Sequence, residues 1–199
     1  MFVNYLSDMS VGRTTHKQAA NLEKNVQTPN KIGYLCLDIR KNMPVLEKIV
    51  ISDFRNIQLQ ELEFSPNVNC ISGNNGEGKT NLLDAIYYLS MTKSAFASSD
   101  KFNFRHGAEE FSIAGNYRME NGMSSRFALK MTTKGEKKVR RDDKPYPKVS
   151  SHVGVLPIVM VSPSDISMVS ESGDERRRFV NAVLSQMDRE YMSAMQQYN

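Results

Sequence analysis

The feature that most constrains the fold of this 199-residue chain is a glycine-rich loop, GNNGEGKT, which runs from Gly73 to Thr80. It matches the pattern G-x-x-x-x-G-K-[ST], in which backbone N–H groups cradle phosphate oxygens. A short apolar run, VNCIS (68–72), precedes the loop and predicts a buried strand. The run KTNLLDAIYYLSM (79–91) follows, with apolar residues at helical spacing. Strand, glycine loop and helix in this order predict an α/β fold of the P-loop NTPase class.

The loop also predicts a site for ATP and Mg²⁺. Glycines let the backbone approach phosphate closely, and the helix that follows adds the partial positive charge of its N-terminus. Lys79 is predicted to reach the β- and γ-phosphates, and Thr80 to offer its hydroxyl to Mg²⁺. The alternative is a chance loop with an exposed lysine, which the flanking strand and helix disfavour. The predicted nucleotide-binding residues of this stretch are Gly73, Asn74, Asn75, Gly76, Glu77, Gly78, Lys79, Thr80 and Asn81.

Hydrolysis requires a further strand that ends in carboxylates, which order Mg²⁺ and polarise water. The apolar run VLPIVMV (155–161) predicts a buried strand, but it ends in Ser162 and Pro163, and its nearest carboxylate is Asp165. The run YLCLD ends in an acid, but it precedes the loop. We therefore expect the chain to bind ATP, to lack the Walker B carboxylates and to carry no catalytic residue that would let it hydrolyse ATP alone.

The segments around the loop predict an added antiparallel β-hairpin subdomain. VLEKIVI and LQELEFSP are strand-like, the second because it alternates in apolar character at Leu59, Leu62 and Phe64. FSIAGNYRM and SSRFALKMTT are joined at ENGM, where Asn-Gly favours a tight turn, and KVRRDDKPYPKV adds another strand and turn. DERRRFVNAVLSQMDREYMSAMQQYN predicts one amphipathic helix, which Ser172 or Asp174 can cap.

Two regions differ in character. Residues 1–42 are polar with poor periodicity and predict a poorly structured N-terminal extension. Met43 stands directly before the first regular strand, so we expect it to be the natural start. Residues 43–199 predict a partial ATP-binding head. Its last helix shows no stop signal before Asn199, and the head is therefore expected to be incomplete at the C-terminus.

Charge and composition suggest an anionic partner. The formal net charge is +4, and residues 126–148 hold nine lysines and arginines against three acids. Such a segment can follow a DNA backbone without reading sequence, and a solvated hairpin is the alternative. No apolar run is long enough to cross a membrane and no disulfide framework is evident, so a cytoplasmic location is expected, with Cys70 as a buried free thiol. The candidate DNA-binding residues are Lys137, Lys138, Arg140 and Arg141.

Longer stretches of the chain resemble the RecF family of bacterial repair ATPases, which are related to SMC-type and ABC-type heads. The resemblance rests on LEKIVISDFRNIQLQELEFSPNVNCISGNNGEGKTNLLDAIYYLS, on KFNFRHGAEEFSIAGNY and on VSPSDISMVSESGDERRRFVNAVL. It covers residues 43–199 and identifies the last helix as the start of the family's helical lever arm.

This resemblance implies that the chain binds ATP, that the full-length protein dimerises around ATP, and that it binds single-stranded and gapped or junction DNA. It also implies a weak DNA-dependent ATPase in the family, recombination mediator proteins as partners, and roles in recombinase loading, recombinational repair and the SOS response. By position, Arg55 and Asn56 would lie near the nucleotide. The residues that would meet the ATP of the other subunit form the signature region: Ser172, Gly173, Arg176 and Arg177.

The chain departs from the family at three places. The stretch ESGD replaces the usual residues before the paired arginines, and Asp84 stands where members often have Glu. SPSD (162–165) stands where related heads place a Gln that senses Mg²⁺ and nucleotide, and that role is assigned to no residue here. Without the resemblance, the arginines from Arg176 to Arg178 would be interpreted as a solvated helix face.

Two rival interpretations stay open. A small P-loop kinase or transferase would need an acceptor pocket and lid arginines after the loop, where this chain has β-hairpins. A fragment without autonomous function would expose a core that another part of the protein should cover.

Overall fold

The computed structural model describes residues 11–13, 43–166 and 173–198. One antiparallel sheet and one long buried helix form most of it. The strands are β1 Val11–Arg13, β2 Val45–Phe54, β3 Ile57–Glu63, β4 Asn69–Ile71, β5 Glu110–Arg118, β6 Ser124–Thr132, β7 Lys137–Arg141 and β8 Lys144–Pro145. The α-helices are α1 Lys79–Met91, α2 Gly173–Met187 and α3 Arg189–Tyr198. Short 3₁₀ turns span Asp100–Asn103, Val149–His152 and Pro163–Ile166.

The main sheet has six strands in the order β3-β2-β5-β6-β7-β8, and every neighbouring pair is antiparallel. The predicted hairpin is confirmed: β5 and β6 pair from Glu110↔Thr132 to Arg118↔Ser124 around a turn at Gly122. Buried and exposed residues alternate along both strands. One face of the sheet, the inner face, therefore carries the core, and the opposite outer face carries polar side chains.

Helix α1 packs its buried residues against the inner face. The rings of Phe54, Tyr88 and Phe111 meet edge to face with centroids 5.2–5.9 Å apart, so they join β2, α1 and β5. Gly115 on β5 allows this close approach, because a Cβ there would lie 2.8 Å from Leu89 Cδ2. The predicted helix after the glycine loop is thus confirmed as the element that covers the sheet.

The predicted strand LQELEFSP is confirmed as β3, and the prediction of a buried Cys70 is wrong. Leu59 is 70% exposed because it lies opposite Ser52 on the outer face. The thiol of Cys70 is exposed, since alternation within β4 turns it outward. The rule that apolar side chains lie inside fails here because a strand buries only one of its two faces.

The predicted strand VLPIVMV (155–161) does not form. Val159 and Val161 are exposed, and none of the described strands pairs with this run. Side chains satisfy part of its backbone: Gln186 Oε1 accepts from Ile158 N–H at 2.8 Å, the Gln186 amide donates back to the Ile158 carbonyl at 3.1 Å, and Ser90 donates to the Leu156 carbonyl. An apolar run becomes a strand only where a neighbouring strand offers its backbone N–H and C=O groups for hydrogen bonds.

The predicted terminal helix is two helices. Asp188 lies between α2 and α3, and its carboxylate accepts from the backbone N–H groups of Glu190 at 2.8 Å and Tyr191 at 3.2 Å. This is the hydrogen-bonding pattern of a helix N-cap. Asp188 therefore starts a second helix, although the apolar periodicity continues across it.

The N-terminal extension is described only at β1, which pairs antiparallel with β4 from Val11↔Ile71 to Arg13↔Asn69. These three residues therefore have a strand partner. The expectation of a poorly structured extension for the rest of residues 1–42 lies outside the described residues, as does the predicted cap Ser172. Within the described part of the chain, no helix is long and apolar enough to cross a membrane.

Candidate nucleotide site

The glycine-rich loop joins β4 to the first turn of α1, as its motif requires. Gly76 and Gly78 have φ values of 89° and 100°, which side chains other than glycine rarely adopt. A Cβ on Gly78 would also lie 2.8 Å from Asn56 Oδ1. These glycines therefore serve both backbone conformation and the close approach of a neighbouring turn.

Lys79 folds back over the loop. Its Nζ donates to the carbonyls of Gly73 at 2.5 Å and Asn74 at 2.7 Å. An ammonium held by neutral carbonyls inside the loop can exchange them for phosphate oxygens, which bind it as charge-assisted partners. Thr80 is exposed on the first turn of α1, so its hydroxyl is accessible to a metal ion that nucleotide phosphates carry.

Glu77 clamps the loop across its width. One carboxylate oxygen accepts from the Asn74 backbone N–H and the other from the Asn74 side-chain amide, both at 2.7 Å. A side chain at Gly73 would collide with this carboxylate. The clamp closes the 74–77 turn, while Asn75 and Gly76 stay exposed at its tip.

The predicted residue Arg55 is the centre of a hydrogen-bonding network next to the loop. It follows β2 with φ 53°, and its side chain is only 17% exposed. Its Nη1 donates to Asn81 Oδ1 at 3.0 Å, and its Nε to Asn103 Oδ1 at 3.2 Å. Its Nη2 lies 2.6 Å from Asp84 Oδ2 and donates to Ser94 Oγ at 3.0 Å. One guanidinium thus ties together the β2–β3 turn, α1 and the segment that follows α1.

Asn56 joins the same turn to the loop itself. Its amide donates to the Gly76 carbonyl at 3.2 Å, and its carbonyl oxygen accepts from the Asn81 amide at 2.7 Å. The structure therefore brings the predicted residues Arg55, Asn56 and Asn81 against the phosphate loop.

Sequence reasoning missed three members of this network. Asp84 is fully buried, and besides Arg55 it accepts from Ser94 Oγ and from the Ala95 N–H, both at 2.8 Å. Ser94 and the buried Asn103 are the others. The sequence signal that could have revealed them is the acid Asp84 on the apolar side of α1. A buried carboxylate requires a cationic partner, so its position predicts a buried ion pair.

The signature region lies at the start of α2. Gly173 is the first residue of that helix, and Arg176 and Arg177 are exposed in its first turns, where Arg177 pairs with Asp174. In the part of the chain described here, no hydrogen bond or ion pair joins these residues to the phosphate loop.

The four candidate DNA-binding residues are split between the two faces of β7. Lys137 points inward: its Nζ donates to the Thr92 carbonyl and to Asp100 Oδ2, both at 2.8 Å, and its side chain is 18% exposed. Arg141 lies over the Phe127 ring at 5.4 Å. Lys138 and Arg140 lie on the outer face and are exposed. The assignment of Lys137 as a DNA contact is thus at odds with its internal bonds.

The Lys137 contact also secures the end of α1. Tyr88 donates its hydroxyl to the other oxygen of Asp100 at 2.8 Å, and the Lys137 ammonium lies 5.1 Å from the Tyr88 ring centroid. Burial first, and then the bond to Asp100, raise the pKa of the Tyr88 hydroxyl, so it acts as a donor over the physiological range.

No group of three or more His, Cys, Asp and Glu residues that could hold a metal occurs among the described residues. Asp165, the carboxylate nearest the VLPIVMV run, is used locally and accepts from the Ser162 N–H at 2.5 Å. Magnesium in nucleotide sites binds through phosphates and one or two protein oxygens, and the exposed Thr80 hydroxyl fits this role.

Comparisons with known proteins identify the family of the chain. A family model described as an AAA domain matches residues 48–192. The DNA replication and repair protein RecF of Phocaeicola vulgatus is 44% identical over 155 residues, and that of Porphyromonas gingivalis is 42% identical. Each match covers 78% of this chain but only 42% and 43% of the relative, so the chain spans about two fifths of their length.

Solved structures extend the likeness to the fold. The structure of the recombination mediator protein RecF with ATP, of the RecFOR pathway, superposes with a TM-score of 0.74 at 30% identity, over 79% of this chain and 42% of that one. A structure from work on ATP-driven dimerisation of SMC ATPases has a TM-score of 0.59 at 18% identity, over 70% of this chain and 99% of that one. The second likeness concerns the fold alone.

Proposed function

This chain belongs to the AAA domain family as a RecF-type member, and from that premise we propose that it binds ATP with Mg²⁺ at Gly73 to Thr80 as one half of a composite nucleotide site. The observation that carries the proposal is the arrangement around Lys79. Its ammonium is held inside a glycine loop at the N-terminus of α1. Asn56 donates to the Gly76 carbonyl of that loop and is itself hydrogen-bonded to Asn81. Such a loop presents backbone donors and a cation to a polyphosphate.

The other half of the composite site is proposed to come from a second subunit. In this arrangement ATP on the loop of one head meets Ser172, Gly173, Arg176 and Arg177 of another. Support comes from the exposed arginines at the start of α2, where a helix N-terminus and guanidinium groups favour phosphate. Glu77 in the loop and Asp84 on α1 are committed to structural bonds, so we propose that this chain holds ATP but does not hydrolyse it alone.

The proposed macromolecular ligand is DNA, single-stranded or at a gap or junction. The outer face of the sheet carries a basic patch, which we define as Arg126, Lys130, Lys138 and Arg140. Lys130 lies directly opposite Lys138. Lys130 and Lys138 also contact Glu110 and Glu136, but all four basic side chains are exposed. Exposed cations of this kind contact phosphates without reading sequence.

The biological role that follows is cytoplasmic DNA replication and repair. We propose that the chain acts with recombination mediator proteins in recombinase loading, recombinational repair and the SOS response. The relatives' names, DNA replication and repair protein and recombination mediator protein, support this role.

The deciding experiment measures binding of MgATP by isothermal titration calorimetry to the 199-residue chain and to Lys79→Ala. Loss of a charged hydrogen-bonding group predicts binding weaker by about 10- to 100-fold. Lys93→Ala, which removes an exposed lysine beyond the end of α1, is the matched control and should bind like the parent. Equal affinity of the parent and Lys79→Ala would refute the site.

Sedimentation velocity of the same samples tests the proposed second subunit. ATP should shift the chain from monomer to dimer, and the dimer should be lost in Lys79→Ala. A monomer at saturating ATP would contradict the composite site while leaving ATP binding intact.

A further inference from the structure

The phosphate loop contains an anion of its own. Glu77 is the only acid among the residues from Gly73 to Thr80, and Lys79 is the only base in the same stretch. The formal charges of the loop residues therefore cancel. A polyphosphate that binds this loop meets a negative side chain as well as a positive one, so the contacts of Glu77 decide how its charge acts on a ligand.

Glu77 and Lys79 hold the same two residues of the loop. The Glu77 carboxylate accepts from the backbone N–H and from the side-chain amide of Asn74, both at 2.7 Å. The Lys79 ammonium donates to the carbonyls of Gly73 and Asn74. The acid therefore occupies donors of this dipeptide, and the base occupies its acceptors. Gly73 leaves room for the carboxylate, because a Cβ at that position would collide with Glu77 Oε2.

Glu77 forms no ion pair within the described part of the chain. Lys79 is held by neutral carbonyls rather than by this carboxylate. The guanidinium of Arg55, which lies next to the loop, is bonded instead to Asn81, Asn103, Ser94 and Asp84. The described partners of Glu77 are thus neutral donors, which stabilise a carboxylate without cancelling its charge.

The hydrogen bonds and the charge of Glu77 have opposite effects on a phosphate ligand. The bonds to Asn74 close the 74–77 turn, and a loop that is already ordered loses less conformational freedom when it binds. The negative charge repels phosphate oxygens on the same loop, and water and salt reduce this repulsion without abolishing it. Glu77 therefore preorganises the loop and at the same time opposes the ligand that the loop receives.

We propose that Glu77 limits the affinity of a single head for ATP through the charge of its carboxylate. The inference rests on the proposed binding of ATP and adds the regulation of that site. A ligand with more negative charge is repelled more strongly, so Glu77 should act on MgATP more than on MgADP. Arg176 and Arg177 of the proposed second subunit offset this charge, which makes stable occupation of the loop depend on the partner head.

The test is isothermal titration calorimetry of MgATP and MgADP with the 199-residue chain and with Glu77→Gln. Glutamine keeps an oxygen that accepts from the Asn74 N–H but removes the charge. Glu77→Gln should bind MgATP about fivefold more tightly than the parent, and MgADP with a smaller gain. Raising the salt concentration from about 0.1 M to about 1 M shortens the Debye length from about 10 Å to about 3 Å, so the gain should shrink.

Glu120→Gln is the matched control. Glu120 is exposed at the β5–β6 turn, near the start of β2, whereas the loop contacts Asn56 beyond the end of β2. This variant removes the same charge away from the loop and should bind both nucleotides like the parent. A Glu77→Gln affinity equal to or weaker than that of the parent, or the same gain in Glu120→Gln, would overturn the role of Glu77 alone. Failure of the parent and of Glu77→Gln to bind either nucleotide would instead refute the nucleotide site.

Discussion

Arg55 and Asp84 form the least exposed ion pair described near the site, at 2.6 Å with side chains 17% and 0% exposed. Arg55 is bonded to Asn81, the residue that follows Thr80, and Asp84 holds the Arg55 guanidinium in place. A buried carboxylate of this kind remains stable only while its cationic partner and its hydrogen bonds are present. The pair therefore positions the loop, and it should not be regarded as catalytic.

At the residue scale we predict that Asp84→Asn destabilises the chain strongly. It leaves the guanidinium of Arg55 without its counter-charge, and breaking a buried pair costs about 3–5 kcal/mol. Urea unfolding measures the loss. Asp53→Asn is the matched control, because the Asp53–Arg105 pair has side chains 32% and 38% exposed and the same substitution should have little effect there. Equal losses in the two variants would contradict the role assigned to Asp84.

At the scale of elements, the alternation along β7 decides what its basic residues can do. Lys137, Val139 and Arg141 lie on the inner face, while Lys138 and Arg140 lie on the outer face. The charge run predicted from the sequence is therefore divided. Lys137 holds the sheet to Asp100 and Thr92, whereas Lys138 and Arg140 are exposed and open to a ligand.

We predict that Lys138→Ala with Arg140→Ala weakens binding of single-stranded and junction DNA. Each lost phosphate contact also removes about one unit from the slope of log affinity against log salt, so the slope should fall by about two. Fluorescence anisotropy across a salt series measures both quantities. The double variant Lys93→Ala, Lys101→Ala removes the same charge from exposed positions off the sheet, and it should keep the parent slope. An equal loss in both double variants would mean that net charge alone drives binding.

At the scale of the whole molecule, the C-terminal end of α1 is where distant segments converge. Lys137 of β7 donates to the Thr92 carbonyl, and Ser90 donates its hydroxyl to the Leu156 carbonyl. His152 is fully buried between α1 and the rings of Phe127 and Tyr146, with Nε2 2.7 Å from the Leu89 carbonyl. A carbonyl only accepts, so Nε2 carries the proton, and the buried Nδ1 has no partner among the described residues.

We predict that this histidine makes stability depend on pH. Burial lowers the pKa of His152, and the bond to Leu89 offsets this only in part. The unfolded chain therefore binds the proton more readily than the folded chain. The free energy of unfolding is highest above the unfolded-state pKa of about 6.5 and falls as the pH decreases through the folded-state pKa. The slope is at most about 1.4 kcal/mol per pH unit. Urea unfolding between pH 7.5 and 5 measures the slope of the free energy of unfolding against pH, which should correspond to the uptake of about one proton at most.

The exposed His106 provides the control for that measurement. His106→Gln should keep the slope of the parent chain, and His152→Gln should flatten it whatever its cost in stability at neutral pH. A parent slope that survives His152→Gln would assign the pH dependence to other groups.

The sequence by itself determined the phosphate loop, the helix after it and the β5–β6 hairpin. All three depend on local chemistry: glycines that reach positive φ, apolar residues at a helical period, and an Asn-Gly turn between alternating strands. The family resemblance added Arg55 and Asn56, which the structure places against the loop.

The tertiary structure alone decided which way side chains point and what they meet. Strand register turned Leu59 outward and Lys137 inward, and the lack of a neighbouring described strand left VLPIVMV without a ladder. Asp84 met Arg55 across 29 positions of sequence, and Phe102 stayed exposed while Phe104 packed against the core. Such contacts depend on packing between segments distant in sequence, and no local pattern of residue types contains that information.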